Sequence, residues 1–222
     1  MTASQPSIEA PKSAKVDVFP VLERLAALYP QLFGAVFLPL KRGIFQDLLS
    51  AHPDLCERNM LKAALALHTR STRYLTAVAA GQQRHDLQGQ PVEPMAPEHV
   101  HQALLEVFRR RQLRSKEDLR PKLVERITKA FEDSAMSAMD YAALVHAKDP
   151  AANALLDDAL AQSQERAARS EALLRAFDAS GQTPQAFAEM YGMDPRDVVR
   201  TLARARPLRT TQLTEAPQDA TT

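Results

Sequence analysis

A row of cations followed by a tyrosine lies in a stretch of strong helical periodicity between residues 58 and 78. Lysine and arginine side chains neutralise phosphates, and an aromatic ring lets a nucleobase stack for about 1–3 kcal/mol. The chemistry that these residue types offer is phosphate contact combined with base stacking. The residues concerned are Arg58, Lys62, Arg70, Arg73 and Tyr74.

The apolar spacing predicts one continuous helix from about Arg58 to Val78. At about 100° per residue, its core stripe consists of Leu61, Leu65, His68, Thr72 and Leu75. The cations fall on another arc, with Tyr74 just beyond Arg70 and away from the leucines. Such a face is either simply solvated, with Tyr74 packed against a loop, or built to contact phosphates. The face has no carboxylate apart from Glu57 at the helix start, which favours phosphate contact.

Shorter elements must position this helix. Gly and Pro enrichment over residues 81–94 predicts a turn region that holds a small β-hairpin around Leu87-Gln88-Gly89. Pro97, in the sequence Ala96-Pro97-Glu98, starts a helix because proline suits the first helical position. Further helices are predicted over Phe19–Tyr29 and Arg42–Ala51.

Three separated motifs occur in a fixed order along this half of the chain. Lys41 precedes the run Gly43-Ile44-Phe45-Gln46-Asp47-Leu48, the long helix ends in Arg73-Tyr74-Leu75, and Arg84 precedes Asp86-Leu87-Gln88-Gly89-Gln90-Pro91. This pattern resembles the RNA-binding domain of the ProQ/FinO family of bacterial RNA chaperones over about residues 17–112. The resemblance implies a helical FinO-like domain that binds structured RNA, especially the hairpin base and U-rich 3′ tail of intrinsic terminators.

The resemblance also implies roles for individual residues. Tyr74 would hold the 3′-terminal nucleotides with its ring face, and Arg84 would do so as a charge-assisted donor. Cations would follow the duplex phosphates, because A-form RNA is recognised by shape and backbone. Those cations are Lys41, Arg58 and Lys62, to which the helical wheel adds Arg70 and Arg73. Arg73 could instead be structural and pair with a nearby carboxylate.

The chain departs from the family pattern at two core positions. The family commonly has an aromatic residue where this chain has His68, and a tryptophan where it has Thr72. Since both lie on the predicted core stripe, we expect a repacked core in which His68 is buried and hydrogen-bonded.

A separate all-helical region is predicted over residues 115–207. Its last two helices begin at Thr183-Pro184 and Asp194-Pro195, which gives a helix-turn-helix-like shape. The final helix spaces three arginines one turn apart: Arg196, Arg200 and Arg204. They are either solvated residues of a docked helix pair or an accessory RNA-contacting element.

Composition indicates an ordinary globular chain, with 45% hydrophobic and 25% charged residues. Residues 17–114 contain 12 Lys/Arg against 9 Asp/Glu, and residues 115–207 contain 13 against 15. The N-terminal half therefore has the sign expected for contact with an anion. The predicted organisation is a flexible leader (1–15), a ProQ/FinO-like domain (16–114), the helical region (115–207) and a flexible tail (208–222).

The sequence predicts a binding protein rather than an enzyme, because it lacks a phosphate-binding glycine loop, paired cysteines and a nucleophile elbow. We expect no cofactor or metal and no membrane association. The expected form is a cytoplasmic monomer whose partners are structured RNAs, namely small RNAs and mRNA 3′ ends. The expected role is post-transcriptional regulation. The alternative is a DNA-binding transcriptional regulator that uses the C-terminal helix pair.

Overall fold

The computed structural model describes residues 17–203 and 205. They form two compact units, which meet in sequence between Asp118 and Leu119; the sequence pattern placed this division after Arg114. The predicted fold class is confirmed: the first unit is helical with a small β-hairpin, and the described part of the second unit is all-helical.

Helices build most of the first unit. Pro30 ends the first helix as predicted and also begins a further short one. The elements are α1 (Phe19–Leu28), α2 (Pro30–Phe33), α3 (Ile44–Ala51), α4 (Arg58–Thr69), α5 (Thr72–Val78), β1 (Arg84–His85), β2 (Pro91–Glu93) and α6 (Pro97–Gln112). Their core is formed by fully buried leucines from five helices: Leu25, Leu32, Leu48, Leu61 and Leu104.

The continuous helix predicted over residues 58–78 is wrong. α4 ends at Thr69, and Ser71 adopts an extended conformation in which its hydroxyl accepts a hydrogen bond from the backbone N–H of Tyr74 at 3.2 Å. Serine is a favoured N-cap, so Ser71 starts a new helix rather than continuing the old one. The restart turns Tyr74 into the interior, where it is 7% exposed.

The predicted β-hairpin is confirmed. Its turn is held by Asp86, whose side chain accepts hydrogen bonds from the backbone N–H groups of Gln88 and Gln90. Gly89 has φ +74°, which a glycine adopts without strain. Residues 39–41 pair with β1 as a parallel bridge: His85 N–H donates to Pro39 at 2.7 Å, and Lys41 N–H donates to His85 at 2.8 Å.

The second unit contains a helical pair and a smaller C-terminal cluster. Its described helices are α7 (Arg120–Ser134), α8 (Ala138–Val145), α9 (Pro150–Ser180), α10 (Pro184–Tyr191) and α11 (residues 195–203). α7 packs along α9, where the buried Thr128 hydroxyl donates to the carbonyl of Ala159 at 3.1 Å. The end of α9 packs with α10 and α11 through Leu174, Phe187, Ala188, Val198 and Leu202.

Candidate nucleic-acid interface

Several of the predicted site residues converge on the connection between α2 and α3, which we call the 35–41 segment (residues 35–41). The Tyr74 hydroxyl accepts the backbone N–H of Leu40 at 3.0 Å, and Arg84 Nη1 donates to the carbonyl of the same residue at 3.0 Å. Lys41 follows directly. The structure therefore brings Lys41, Tyr74 and Arg84 together, although they are distant in sequence.

Arg84 is the best-fixed cation of this group, with a side chain that is 14% exposed. Besides Leu40, it contacts His99 Nδ1 through Nη2 at 3.3 Å, and its Nε lies 3.7 Å from the Glu93 carboxylate. At 3.7 Å the carboxylate contributes attraction but no hydrogen bond, and the buried Nε has no hydrogen-bond partner in the described residues. Arg84 is thus held in place by its two terminal nitrogens, while its buried Nε–H has no hydrogen-bond acceptor among the described residues.

Tyr74 does not lie on the exposed cationic face; it packs against the 35–41 segment, which is the alternative that the sequence left open. Its ring is buried and contacts the ring of His68 at 5.3 Å between centroids. Burial also raises the pKa of the Tyr74 hydroxyl, so the group stays protonated near neutral pH. In this position the hydroxyl can form a hydrogen bond, whereas the ring face is not available for base stacking.

Lys41 lies at the surface beside Asp47, with 2.8 Å between Nζ and the carboxylate. The hydrogen bond from Lys41 and the attraction of the Asp47 charge raise the pKa of Lys41. The lysine is therefore a cation at neutral pH, but a phosphate would have to compete with Asp47 for it.

Arg73 has a structural contact, although not the carboxylate that the sequence suggested. Its guanidinium lies 4.5 Å from the centre of the Phe37 ring and donates to the carbonyl of Ala35. Arg73 therefore fixes the beginning of the 35–41 segment, while Tyr74 and Arg84 fix its end.

The remaining predicted cations of this unit are exposed on α4 and at its C-terminus. Arg58 lies over the ring of Phe45 at 5.5 Å. In the described residues Arg58, Lys62 and Arg70 form no ion pair with a carboxylate. These three side chains remain available for an external anion.

His68 is buried, as expected, but its Nε2 has no hydrogen-bond partner among the described residues. Its ring packs between those of Phe33 and Phe37 in tilted orientations, with centroid distances of 4.6 and 4.4 Å. Burial, with a smaller contribution from the charge of Arg73, lowers the pKa of His68 to about 4.

Sequence reasoning missed the residues that hold these cations in place. His99 and Glu93 flank Arg84, and Arg110 of α6 donates to the carbonyl of Arg70 at 2.8 Å and to the Thr72 hydroxyl at 3.0 Å. The only sequence signal was that Glu93 lies within the predicted turn region of residues 81–94 and that His99 follows it closely. Nothing in the sequence pairs Arg110 with a residue some forty positions earlier.

The arginines of the final helix are less free than the sequence suggested. Arg200 pairs with Asp197 at 2.6 Å, and the backbone N–H of Arg196 is capped by Asp194. Both arginines are exposed, whereas Arg204 lies outside the described residues. The two carboxylates offset part of the attraction of Arg196 and Arg200 for phosphates. The accessory role stays a prediction.

Metal chemistry and membrane insertion find no support in the described residues. No group of three or more His, Cys, Asp or Glu side chains there could hold a metal ion. No helix of the described ranges has the length and apolar character needed to cross a bilayer.

The sequence of the first unit is similar to that of a known protein family. The family model described as ProQ/FINO matches residues 16–120. Residues 16–120 form a ProQ/FINO family domain. This domain contains every predicted site residue except those of the final helix.

Curated relatives of the ProQ/FINO domain share its sequence over part of their length. The chain is 39% identical to an RNA chaperone ProQ of Aeromonas salmonicida over 111 residues, which cover 43% of this chain and 53% of the relative. It is 45% identical to an RNA chaperone ProQ of Shewanella oneidensis over 67 residues, which cover 29% and 32%. The chain thus spans about half or less of the length of these relatives.

Solved structures match as well. One of them is a FinO-like RNA chaperone from Neisseria meningitidis, with 31% sequence identity and a TM-score of 0.36. The match covers 39% of this chain and 88% of the solved one.

Proposed function

We propose that this chain is an RNA-binding protein that acts as an RNA chaperone in post-transcriptional regulation. Its targets are structured RNAs, namely small RNAs and mRNA 3′ ends with a terminator hairpin and a U-rich tail. The observation that carries the proposal is the group of cations on a ProQ/FINO domain that no carboxylate neutralises within the described residues: Arg58, Lys62 and Arg70.

The 3′-terminal nucleotides would bind beside the 35–41 segment. Arg84 contributes the charge of a guanidinium whose side chain is 14% exposed, and this charge attracts a phosphate. The buried Tyr74 holds the segment in place, because its hydroxyl accepts the backbone N–H of Leu40. Tyr74 therefore positions the 35–41 segment and does not supply the stacking face that the sequence suggested.

The duplex stem would run over the exposed cations. A-form RNA hides its major-groove edges, so a protein recognises the stem through its phosphates and 2′-hydroxyls. Arg58 and Lys62 are one helical turn apart on α4, and Lys41 lies on the loop before α3. Arg70 extends this row at the end of α4. Such contacts select duplex shape and give little preference for sequence.

Competition binding tests the proposal. A labelled hairpin with a U-rich 3′ tail is displaced by the same hairpin without the tail or by duplex DNA with the same number of nucleotides. We expect the tailed hairpin to bind at least about tenfold more tightly than either competitor, a difference of about 1.4 kcal/mol. Equal affinity for duplex DNA would contradict the proposal and support the transcriptional-regulator alternative.

A further inference from the structure

A second group of free cations lies at the C-terminal end of α6, away from the residues assigned above. We call Arg111, Arg114 and Lys116 the basic end of α6. All three are exposed. None of them forms an ion pair with a described carboxylate. Unpaired cations at this density repel one another, so an anion that binds between them lowers the electrostatic free energy.

Two neighbouring arginines on the same helix, unlike the basic end of α6, pair with a carboxylate. Arg109 and Arg110 both pair with Glu106, at 2.7 and 2.8 Å. The one carboxylate of the last two turns is therefore already shared by two guanidinium groups. The basic end of α6 gains no local neutralisation from it.

The basic end of α6 lies beside one edge of the proposed RNA surface. Arg110 donates to the carbonyl of Arg70, and Arg70 is one of the free cations of that surface. The chain keeps turning past α6, because Arg114 N–H donates to the carbonyl of Arg111 at 3.0 Å. Arg114 therefore lies just past the end of α6, four residues after Arg110.

We propose that the basic end of α6 contacts the phosphates of the RNA stem beyond the part held by α4. The inference rests on the proposed RNA-binding function and extends its site to the residues Arg111, Arg114 and Lys116. Three cations without partners suit the phosphate backbone of a duplex, whose regularly spaced charges can engage all three at once.

The length of α6 sets the stem that can reach both sites. His99 in its first turn contacts Arg84, where the 3′ end would bind, and Gln112 at the end of α6 lies about 20 Å further along at ~1.5 Å per residue, with Arg114 just beyond it. Successive phosphates of one strand are ~3.4 Å apart along the axis of B-form DNA. An A-form RNA stem is shorter per base pair, so this span corresponds to at least about six base-pair steps. A shorter stem anchored at Arg84 would not reach Arg114.

A purely structural role is the competing explanation. Basic residues in the last turn stabilise a helix by interacting with its dipole. In that case their removal would lower thermal stability and leave RNA affinity and its salt dependence unchanged. RNA binding and stability must therefore be measured on the same variants.

The test compares R111A/R114A/K116A in the full chain with K148A/R169A/R175A, which removes the same charge from exposed residues of the second unit. R111Q/R114Q/K116Q provides a second variant that keeps long polar side chains on the helix. The RNA probes are hairpins with one U-rich tail and stems of about 4 or about 12 base pairs, below and above the estimated span.

With the long stem, we expect both α6 variants to bind at least about fivefold more weakly. The slope of log affinity against log salt concentration should become shallower by about 2–3. Each lost phosphate contact reduces the magnitude of this slope by about one unit. With the short stem, and for the control variant on either stem, the change should stay within about twofold.

Three results would overturn the inference: an unchanged affinity and salt slope on the long stem, an equal loss on both stems, or an equal loss in the control variant. A wild-type chain without affinity for either hairpin would overturn the proposed function as well. Wild-type binding with unaffected α6 variants would overturn the inference alone.

Discussion

Arg84 connects three parts of the ProQ/FINO domain at the scale of a single side chain. Its guanidinium reaches the carbonyl of Leu40, the ring of His99 and the neighbourhood of Glu93, and it is mostly buried. A planar group with five donors can satisfy such divergent partners, whereas an ammonium group cannot. Its contribution is therefore one of geometry as well as charge.

Arg84→Lys separates these two contributions because the net charge stays the same. We expect RNA affinity to fall by about tenfold or more, since hydrogen bonds of charged groups contribute about 1.5–3 kcal/mol. The matched control is Arg42→Lys, whose side chain is 65% exposed and lies 3.7 Å from the same Glu93. Fluorescence anisotropy with a tailed hairpin measures both. Equal affinities for the two variants would mean that only the charge at position 84 matters.

His68 lies buried in a cluster of aromatic rings, and its burial makes the stability of the fold depend on pH. The folded protein holds the pKa of His68 at about 4, below the ordinary value of 6.5. The unfolded chain therefore binds the proton more tightly than the folded one. The stability that depends on neutral His68 is fully present above pH 6.5 and is lost as the pH falls toward 4.

His68→Phe should remove this dependence while keeping a ring between Phe33 and Phe37. The quantity to compare is the free energy of unfolding of the variant minus that of the wild type. At 1.36 kcal/mol per pKa unit, this difference should be about 2.5 kcal/mol larger at pH 4.5 than at pH 7.5. Urea unfolding at the two pH values measures this difference. Carboxylates and His101 titrate in both proteins and cancel. Parallel pH profiles would contradict the assignment of the buried neutral state to His68.

The junction between α4 and α5 is the decisive feature at the scale of elements. Ser71 caps α5, and Arg110 of α6 fastens the junction from outside through the Arg70 carbonyl and the Thr72 hydroxyl. The break directs Tyr74 to the 35–41 segment and leaves the Arg70 side chain at the surface. Because the helix is interrupted here, Tyr74 is buried while Arg70 is exposed.

Arg110→Ala should destabilise the first unit by about 1–2 kcal/mol, because it removes two hydrogen bonds from a charged donor to the junction. Arg109→Ala is the matched control: Arg109 shares Glu106 with Arg110 but is 69% exposed, and within the described residues it forms no hydrogen bond or ion pair with α4 or α5. A surface pair of this kind contributes about 0–1 kcal/mol. Thermal unfolding of the two variants compares them. Identical midpoints would show that Arg110 does not hold the junction.

Charge is divided unevenly at the scale of the whole molecule. The Lys/Arg excess lies in residues 17–114, while residues 115–207 have an Asp/Glu excess. The free cations of the ProQ/FINO domain therefore carry the proposed attraction for RNA, and the second unit contributes little favourable field. In the final helix, Asp194 and Asp197 accompany the two described arginines.

Arg196→Ala/Arg200→Ala tests the accessory role predicted from the sequence. If this helix touches RNA, affinity should fall by about two- to fivefold, because exposed, partly neutralised cations contribute about 0.5–1 kcal/mol. The salt slope should also become shallower. Lys129→Ala/Lys148→Ala removes the same charge from α7 and the loop before α9 and serves as the control. An affinity and slope equal to those of the wild type would eliminate the accessory role.

Local signals predicted much of the helical framework. Proline at helix starts, capping residues and apolar spacing located α1, α3, the start of α6 and the starts of α10 and α11 to within a few residues, and turn residues located the hairpin. The resemblance also placed Tyr74 and Arg84 in one group, and the structure brings both to Leu40. These features depend on neighbours within a few positions, so they can be read from the chain itself.

The sequence by itself determined the helical class, the hairpin and the types of residue available to meet an anion. Tertiary structure alone decided which of them are exposed. Tyr74 is buried because α5 restarts at Ser71, and Arg73 packs against the ring of Phe37. Arg110 donates a hydrogen bond to the carbonyl of Arg70, which is distant in sequence. The physical reason is that burial and hydrogen bonding at these positions depend on residues about forty positions away. A helical period describes only the helix to which it belongs.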